Sequence, residues 1–146
     1  MGRGRGGYTE YQESYVDSKK KKVIDRGAIF VAERYMDLGY ESVFRGHKEG
    51  KSLDLTIKTS DDTQFVKNIE VKTIESTKPS QIAKQLKHAQ EQIAEGDTVA
   101  LYLPHHNNSQ TGIAFASQGI QEAVRKGYVK GPIEVWFADK TKWNYN

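Results

Sequence analysis

The sequence predicts one α/β domain with a mixed sheet, preceded by a polar N-terminal tail. Two neighbouring segments alternate apolar and polar residues with the period of half-buried strands. Further strands are separated by amphipathic helices, which implies a partly parallel sheet with helices on its faces. The predicted order is helix, three strands, helix, strand, helix, strand. The length of 146 residues suits a single compact domain, which we place at residues 23–146.

The predicted tail covers residues 1–22. Its first seven residues are mostly Gly and Arg, and it ends in four consecutive lysines, Lys19 to Lys22. Such a segment cannot bury a core. It is interpreted either as a solvated linker or as a basic arm that follows phosphates, with Lys19 and Lys20 as candidate nucleic-acid contacts.

The first helix is predicted from about Val23 to Leu38, because apolar residues recur there at helical spacing and Gly39 follows as a stop. A short strand is predicted over Glu41 to Arg45. The next two strands, around residues 53–58 and 65–74, are predicted to form a hairpin. In the second of them Glu70 and Lys72 share one face and Ile69 and Val71 the other.

The remaining elements follow from similar patterns. A helix is predicted to begin at Pro79, with an apolar stripe of Ile82, Leu86, Ala89 and Ile93. The sequence then predicts a central strand at 99–103, a helix at 114–126 and a last strand at 133–138. Residues 139–146 are predicted to be a polar tail.

The composition limits the chemistry of the protein. The chain has 22 Lys and Arg against 19 Asp and Glu, a formal net charge of +3 and a pI of about 9.0, which mildly favours a polyanionic partner. There is no cysteine, which excludes disulfides, cysteine zinc sites and a thiol nucleophile. No apolar run has the length of a membrane span or the pattern of a signal peptide, so we expect no membrane partner.

The most informative residues are Asp54, Glu70 and Lys72. If the hairpin brings Asp54 beside Glu70, two carboxylates and one ammonium converge. Carboxylate oxygens suit Mg²⁺ or Mn²⁺ better than Zn²⁺, and the backbone carbonyl of Val71 is a further candidate ligand. Lys72 can orient an attacking water or stabilise negative charge. The trio therefore outlines a phosphodiester-cleaving centre, although Glu-x-Lys on a strand is also common as an exposed charge pair.

The pattern resembles the PD-(D/E)XK nuclease superfamily over roughly residues 24–104. Asp54 matches the first acidic position, and Glu70 and Lys72 match the E-x-K, whereas Leu53 stands where the family has proline. The resemblance implies a restriction-endonuclease-like core. It also implies that a glutamate of the first helix, here Glu33, joins the metal site.

Within that superfamily the chain looks most like toxin domains of contact-dependent growth inhibition and related polymorphic toxin systems. The likeness lies in Leu53–Leu55, Ile69–Thr73 and the helix segment Gln81–Ala89. It implies an RNase or DNase, with tRNA favoured, that a larger carrier protein delivers to the cytoplasm of a target cell. It further implies an immunity protein, which we expect to be acidic.

Other candidates lie on the helix after the E-x-K strand and in a loop. Gln81, Gln85, His88 and Gln92 form a polar stripe, in which Gln85 and His88 are candidate catalytic residues or ordinary boundary residues. Lys84 and Lys87 on the same helix are candidate nucleic-acid contacts. His105 and His106 are adjacent loop histidines, interpreted as zinc ligands, as an acid–base pair or as solvated residues.

Three functions therefore stand open. The first is a metal-dependent endonuclease, an RNase toxin that acts on tRNA. The second is a DNA endonuclease or junction resolvase with the same trio. The third is a non-catalytic nucleic-acid-binding module, in which Asp54 and Glu70 are surface charges.

Overall fold

The computed structural model describes residues 9–11, 26–44, 55–59 and 65–145. Within these ranges the chain forms three helices and seven strands, in the order β1 (Thr9–Tyr11), α1 (Arg26–Asp37), β2 (Tyr40–Phe44), β3 (Leu55–Thr59), β4 (Phe65–Thr73), α2 (Pro79–Gln90), β5 (Thr98–Leu103), α3 (Gln110–Arg125), β6 (Ile133–Phe137) and β7 (Lys142–Tyr145).

The strands form one mixed sheet in which spatial order equals chain order, from β1 to β7. The pairs β1–β2, β4–β5 and β5–β6 are parallel, and β2–β3, β3–β4 and β6–β7 are antiparallel. The mixed α/β class predicted from the sequence is confirmed. The predicted element order is wrong at both ends, because β1 lies inside the expected tail 1–22 and β7 inside the expected tail 139–146.

Helices cover the sheet on both faces. On one face α1 packs on alternate residues of the central strands, among them Ile69, Val71, Ala100 and Trp136. On the other face α2 and α3 pack together on the intervening residues, such as Leu101 and Val135. This alternation fixes on which side of the sheet each polar residue of a strand lies.

Helix ends follow local chemistry. Gly39 has a φ of 102° directly after α1, a conformation that glycine adopts without a Cβ penalty. Pro79 opens α2. The third helix starts at Gln110, four residues before the predicted Ala114, because the Ser109 Oγ accepts a hydrogen bond from the Gly112 N–H at 3.1 Å and caps the helix.

The contact between α2 and α3 depends on a small residue. A Cβ added at Gly119 of α3 would lie 2.5 Å from the Ile82 Cβ and 2.6 Å from the Pro79 carbonyl oxygen. The two helices therefore approach each other closely enough that only glycine fits at this crossing.

Candidate active site

Glu70 and Lys72 lie on β4, in the middle of the sheet. Glu70 is only 3% exposed. The Lys72 ammonium lies 3.3 Å from the Glu70 Oε2 and donates a hydrogen bond to the Gln92 Oε1 at 2.7 Å. The predicted alternation is confirmed, because Ile69 and Val71 pack against α1 while Glu70 and Lys72 lie on the α2 side.

Beside this ion pair the sheet surface is polar. Thr56 of β3 is the register partner of Asn68 of β4, and the Thr56 hydroxyl donates to the Asn68 Oδ1 at 2.8 Å. We call Thr56, Asn68, Glu70 and Lys72 the polar strip. It lies on the α2 side of the sheet, and Thr56 and Glu70 within it are buried.

The partner carboxylate of the predicted trio, Asp54, lies outside the described residues. The described pairing of β3 with β4 begins at Leu55, which is opposite Ile69. Val71 is described, with its side chain buried on the α1 face. Among the described residues no group of three or more His, Asp and Glu side chains is arranged to hold a metal ion.

The candidate residues of α2, the helix after the E-x-K strand, do not all lie near Glu70 and Lys72. Gln85 and Gln81 line a cavity at the end of β4, and Gln92, farther along the same stripe, binds Lys72. His88 belongs to this stripe in the sequence but its side chain is exposed. Within this polar stripe, Gln92 is therefore the residue that contacts Lys72.

The predicted basic contacts are not gathered at the polar strip. Lys84 is exposed on α2. The Lys87 ammonium lies 5.7 Å from the centre of the ring of Tyr128, a residue that follows α3. Lys87 therefore points away from Gln92, which binds Lys72. Lys19 and Lys20 lie outside the described residues.

Glu33 is not brought to Glu70. It lies on α1, which packs on the opposite face of the sheet, and its side chain is half exposed next to Arg34. It lines a surface cavity of about 320 Å³ together with Phe30 and Tyr102, whose rings stack with centroids 4.2 Å apart.

The two adjacent histidines have separate surroundings. His106 stacks on the Phe115 ring with centroids 4.2 Å apart, and its carbonyl oxygen accepts a hydrogen bond from the Ala138 N–H. His105 points elsewhere, and its Nε2–H donates to the Glu75 Oε1 at 2.8 Å. The two imidazoles therefore do not act on one ligand as a pair.

A second buried carboxylate, Glu134 of β6, was not among the predicted site residues. Its Oε2 accepts hydrogen bonds from the Lys67 ammonium at 2.7 Å and from the Tyr35 hydroxyl, and its Oε1 accepts from the Trp136 indole at 3.1 Å. Burial, and then the charge of Glu134, raise the pKa of Tyr35 far above its usual range. A glutamate inside the apolar run 133–137 was the available sequence signal.

The Lys67–Glu134 pair lies on the α1 face, behind the sheet from Lys72 and Glu70. Within the described ranges, no helix is long and apolar enough to cross a bilayer. Comparison of the chain with protein-family models, with curated proteins and with solved structures finds no match.

Proposed function

We propose that the protein is a metal-dependent endonuclease that hydrolyses phosphodiester bonds, with RNA as the favoured substrate. The observation that carries the proposal is the pair of Glu70 and Lys72, which share one face of a central strand at 3.3 Å. A carboxylate that is 3% exposed is costly to keep ionised unless a charge partner or a cation compensates it. Lys72 supplies such a partner, and a bound cation would add to its effect.

The chemistry of the donors suits a hard cation. Glu70 offers a carboxylate, and the proposal requires Asp54, which precedes Leu55, to offer a second one to the same ion. When bound, Mg²⁺ or Mn²⁺ supplies neutralisation of the phosphate charge and activation of water. Val71 would add its carbonyl oxygen to the ligand set.

In the proposed reaction Lys72 contacts the substrate phosphate. Its side chain is 18% exposed, and its ammonium is oriented by Glu70 and by the Gln92 Oε1. A positioned ammonium next to a phosphate binds the substrate and stabilises the negative charge that develops during cleavage. Gln92 therefore acts as a positioning residue for Lys72.

The remaining features of the proposal rest on the resemblance to nuclease toxin domains. They are a restriction-endonuclease-like core, tRNA as the substrate, delivery by a larger carrier into the cytoplasm and an acidic immunity protein. The interior order of α1, three strands, α2 and β5 agrees with that core. The net charge of +3 agrees with a polyanionic substrate.

The test is cleavage of total tRNA and of plasmid DNA with Mg²⁺, with Mn²⁺ and with EDTA. We expect cleavage only with a divalent metal, and a loss of about 100-fold or more in Glu70→Gln and in Lys72→Ala. Loss of the tRNA rather than the plasmid would support the RNase, and the reverse would support the DNA endonuclease.

The chain offers a matched control on the opposite face of the sheet. Glu134→Gln and Lys67→Ala change the same residue types in a second buried ion pair that lies away from the polar strip. With circular dichroism as a measure of folded protein, these controls should keep their cleavage rate per folded molecule. Equal losses in both pairs would mean that Glu70 and Lys72 only stabilise the fold, and salt-dependent binding without cleavage would favour a binding module.

A further inference from the structure

A polar cavity of about 280 Å³ lies where β4 ends and α2 begins. It is lined by Thr73, Ile74, Glu75, Ser76, Gln81 and Gln85. Five of these six side chains carry hydrogen-bonding groups. A cavity with this lining suits a ligand that presents several donors and acceptors on one edge.

The cavity continues the surface of the proposed active site. Thr73 ends β4 directly after Lys72, with its side chain on the opposite face of the strand, so the segment of α2 and the residues after it link the cavity to Lys72. Gln85 lines it from α2, and Gln92, seven residues later and just beyond the end of α2, binds Lys72. A nucleotide strand whose phosphate contacts Lys72 would therefore place an adjacent nucleotide at the cavity.

Glu75 is held in place at the cavity by His105. The two side chains come from the loops that follow the neighbouring parallel strands β4 and β5, and the His105 Nε2–H donates to the Glu75 Oε1 at 2.8 Å. Both side chains are exposed. Among the described residues the Glu75 Oε2 has no partner, so the carboxylate keeps one oxygen for a ligand.

Both loops are ordered by further contacts. The Ile74 N–H donates to the Tyr102 carbonyl oxygen at 2.9 Å, and the Lys78 N–H donates to the Ser76 Oγ at 3.0 Å. On the other side, His106 is fixed by its stack on Phe115. Glu75 is therefore positioned before any ligand arrives, which lowers the cost of binding.

A carboxylate only accepts hydrogen bonds, so it selects the donors of a base. Adenine, cytosine and guanine carry an exocyclic amino group on the Watson–Crick edge, whereas the only donor of uracil and thymine there is the N3–H, flanked by two carbonyl oxygens that repel a carboxylate. Single-stranded RNA is read on this edge. We infer that the cavity is a nucleobase subsite in which Glu75, positioned by His105, selects a base with an exocyclic amino group next to the cleaved phosphate. This inference rests on the proposed nuclease function.

The test measures base preference without cleavage. Fluorescence anisotropy in EDTA would give the affinity of the wild type for labelled single-stranded nonamers of cytidine, adenosine and uridine. We expect the cytidine and adenosine nonamers to bind about tenfold tighter than the uridine nonamer. Glu75→Gln should reduce this ratio to about twofold, because its amide also donates to uracil carbonyls.

Two further variants separate positioning from a general loss of charge. His105→Ala should lower the preference without a change in the melting temperature, because both partners are exposed. Glu95→Gln removes the same charge from an exposed glutamate beyond α2 and should keep the wild-type preference.

The outcomes distinguish this inference from the nuclease proposal. Equal affinity of the wild type for the three nonamers, or an unchanged preference in Glu75→Gln, would overturn the subsite. A preference that depends on Glu75 in a protein that cuts nothing would support the subsite and refute the nuclease.

Discussion

Removal of Glu134 should destabilise the protein more than any other single loss of charge on the α1 face. In Glu134→Ala the buried Tyr35 hydroxyl and Trp136 indole lose their acceptor, and the Lys67 ammonium loses its carboxylate partner. Breaking a buried ion pair from one side costs about 3–5 kcal/mol. Because Lys67 is 29% exposed and regains some hydration, we expect about 4 kcal/mol rather than the upper value.

The assay is urea unfolding followed by tryptophan fluorescence, together with the melting temperature. A loss of about 4 kcal/mol corresponds to a fall of about 8–16 °C for a domain of this size. Lys67→Met should also destabilise, because it leaves the Glu134 carboxylate, 3% exposed, without its cation. The double variant should cost at least about 2 kcal/mol less than the sum of the two single changes.

The reasoning would be refuted by a small effect or by additivity. A cost below about 1 kcal/mol for Glu134→Ala would mean that water replaces the carboxylate as the acceptor for its three donors. A coupling below about 0.5 kcal/mol between Lys67 and Glu134 would mean that the 2.7 Å contact contributes nothing specific to stability.

Three further predictions concern packing and pH. Gly119→Ala should destabilise by about 1–3 kcal/mol in urea unfolding, because its Cβ would overlap Ile82. A rise in stability would contradict this and would mean that α2 and α3 separate slightly, so that the higher helix propensity of alanine decides the result. The pKa of Tyr35 is raised in the folded state, so its contribution to stability is full below pH 10.0 and declines above it. Tyr35→Phe should lose less stability between pH 9 and about pH 11 than the wild type, and parallel curves would contradict this. The hydroxyl of Thr141 holds the pKa of Asp139 below its usual 3.8, so Asp139 stabilises above that pH, and the stability difference between wild type and Asp139→Asn should shrink as the pH falls towards about 3.

Local periodicity was sufficient to predict the centre of the fold. The alternation in β4 placed Glu70 and Lys72 on one face and Ile69 and Val71 on the other, which the structure confirms. The apolar stripe of α2 is likewise confirmed, since Ile82 and its companions are buried. Both patterns depend only on the geometry of a strand or a helix, so they can be read from adjacent residues.

The strand and the side-chain contacts that the sequence did not predict depend on residues that are distant in the chain. The segment Lys142–Tyr145 alternates polar and aromatic residues over only four positions, and it becomes β7 because it pairs with β6 after a turn in which Lys140 has a φ of 74°. The pair of Lys67 and Glu134 spans 67 positions of sequence, and that of Glu75 and His105 spans 30. A local sequence pattern cannot predict such contacts, because the two partners meet only when the whole fold has formed.

The identity of chain order and spatial order in the sheet has a consequence for how the protein is made. Every strand from β1 to β7 lies next to the strand that precedes it in the chain. Each new strand therefore finds its partner already synthesised as the chain leaves the ribosome. The three parallel pairings each enclose a helix, so the contact order and the folding rate are those of a mixed α/β domain, between helical bundles and all-β folds. We expect the sheet to grow stepwise during synthesis, with β7 completing it last.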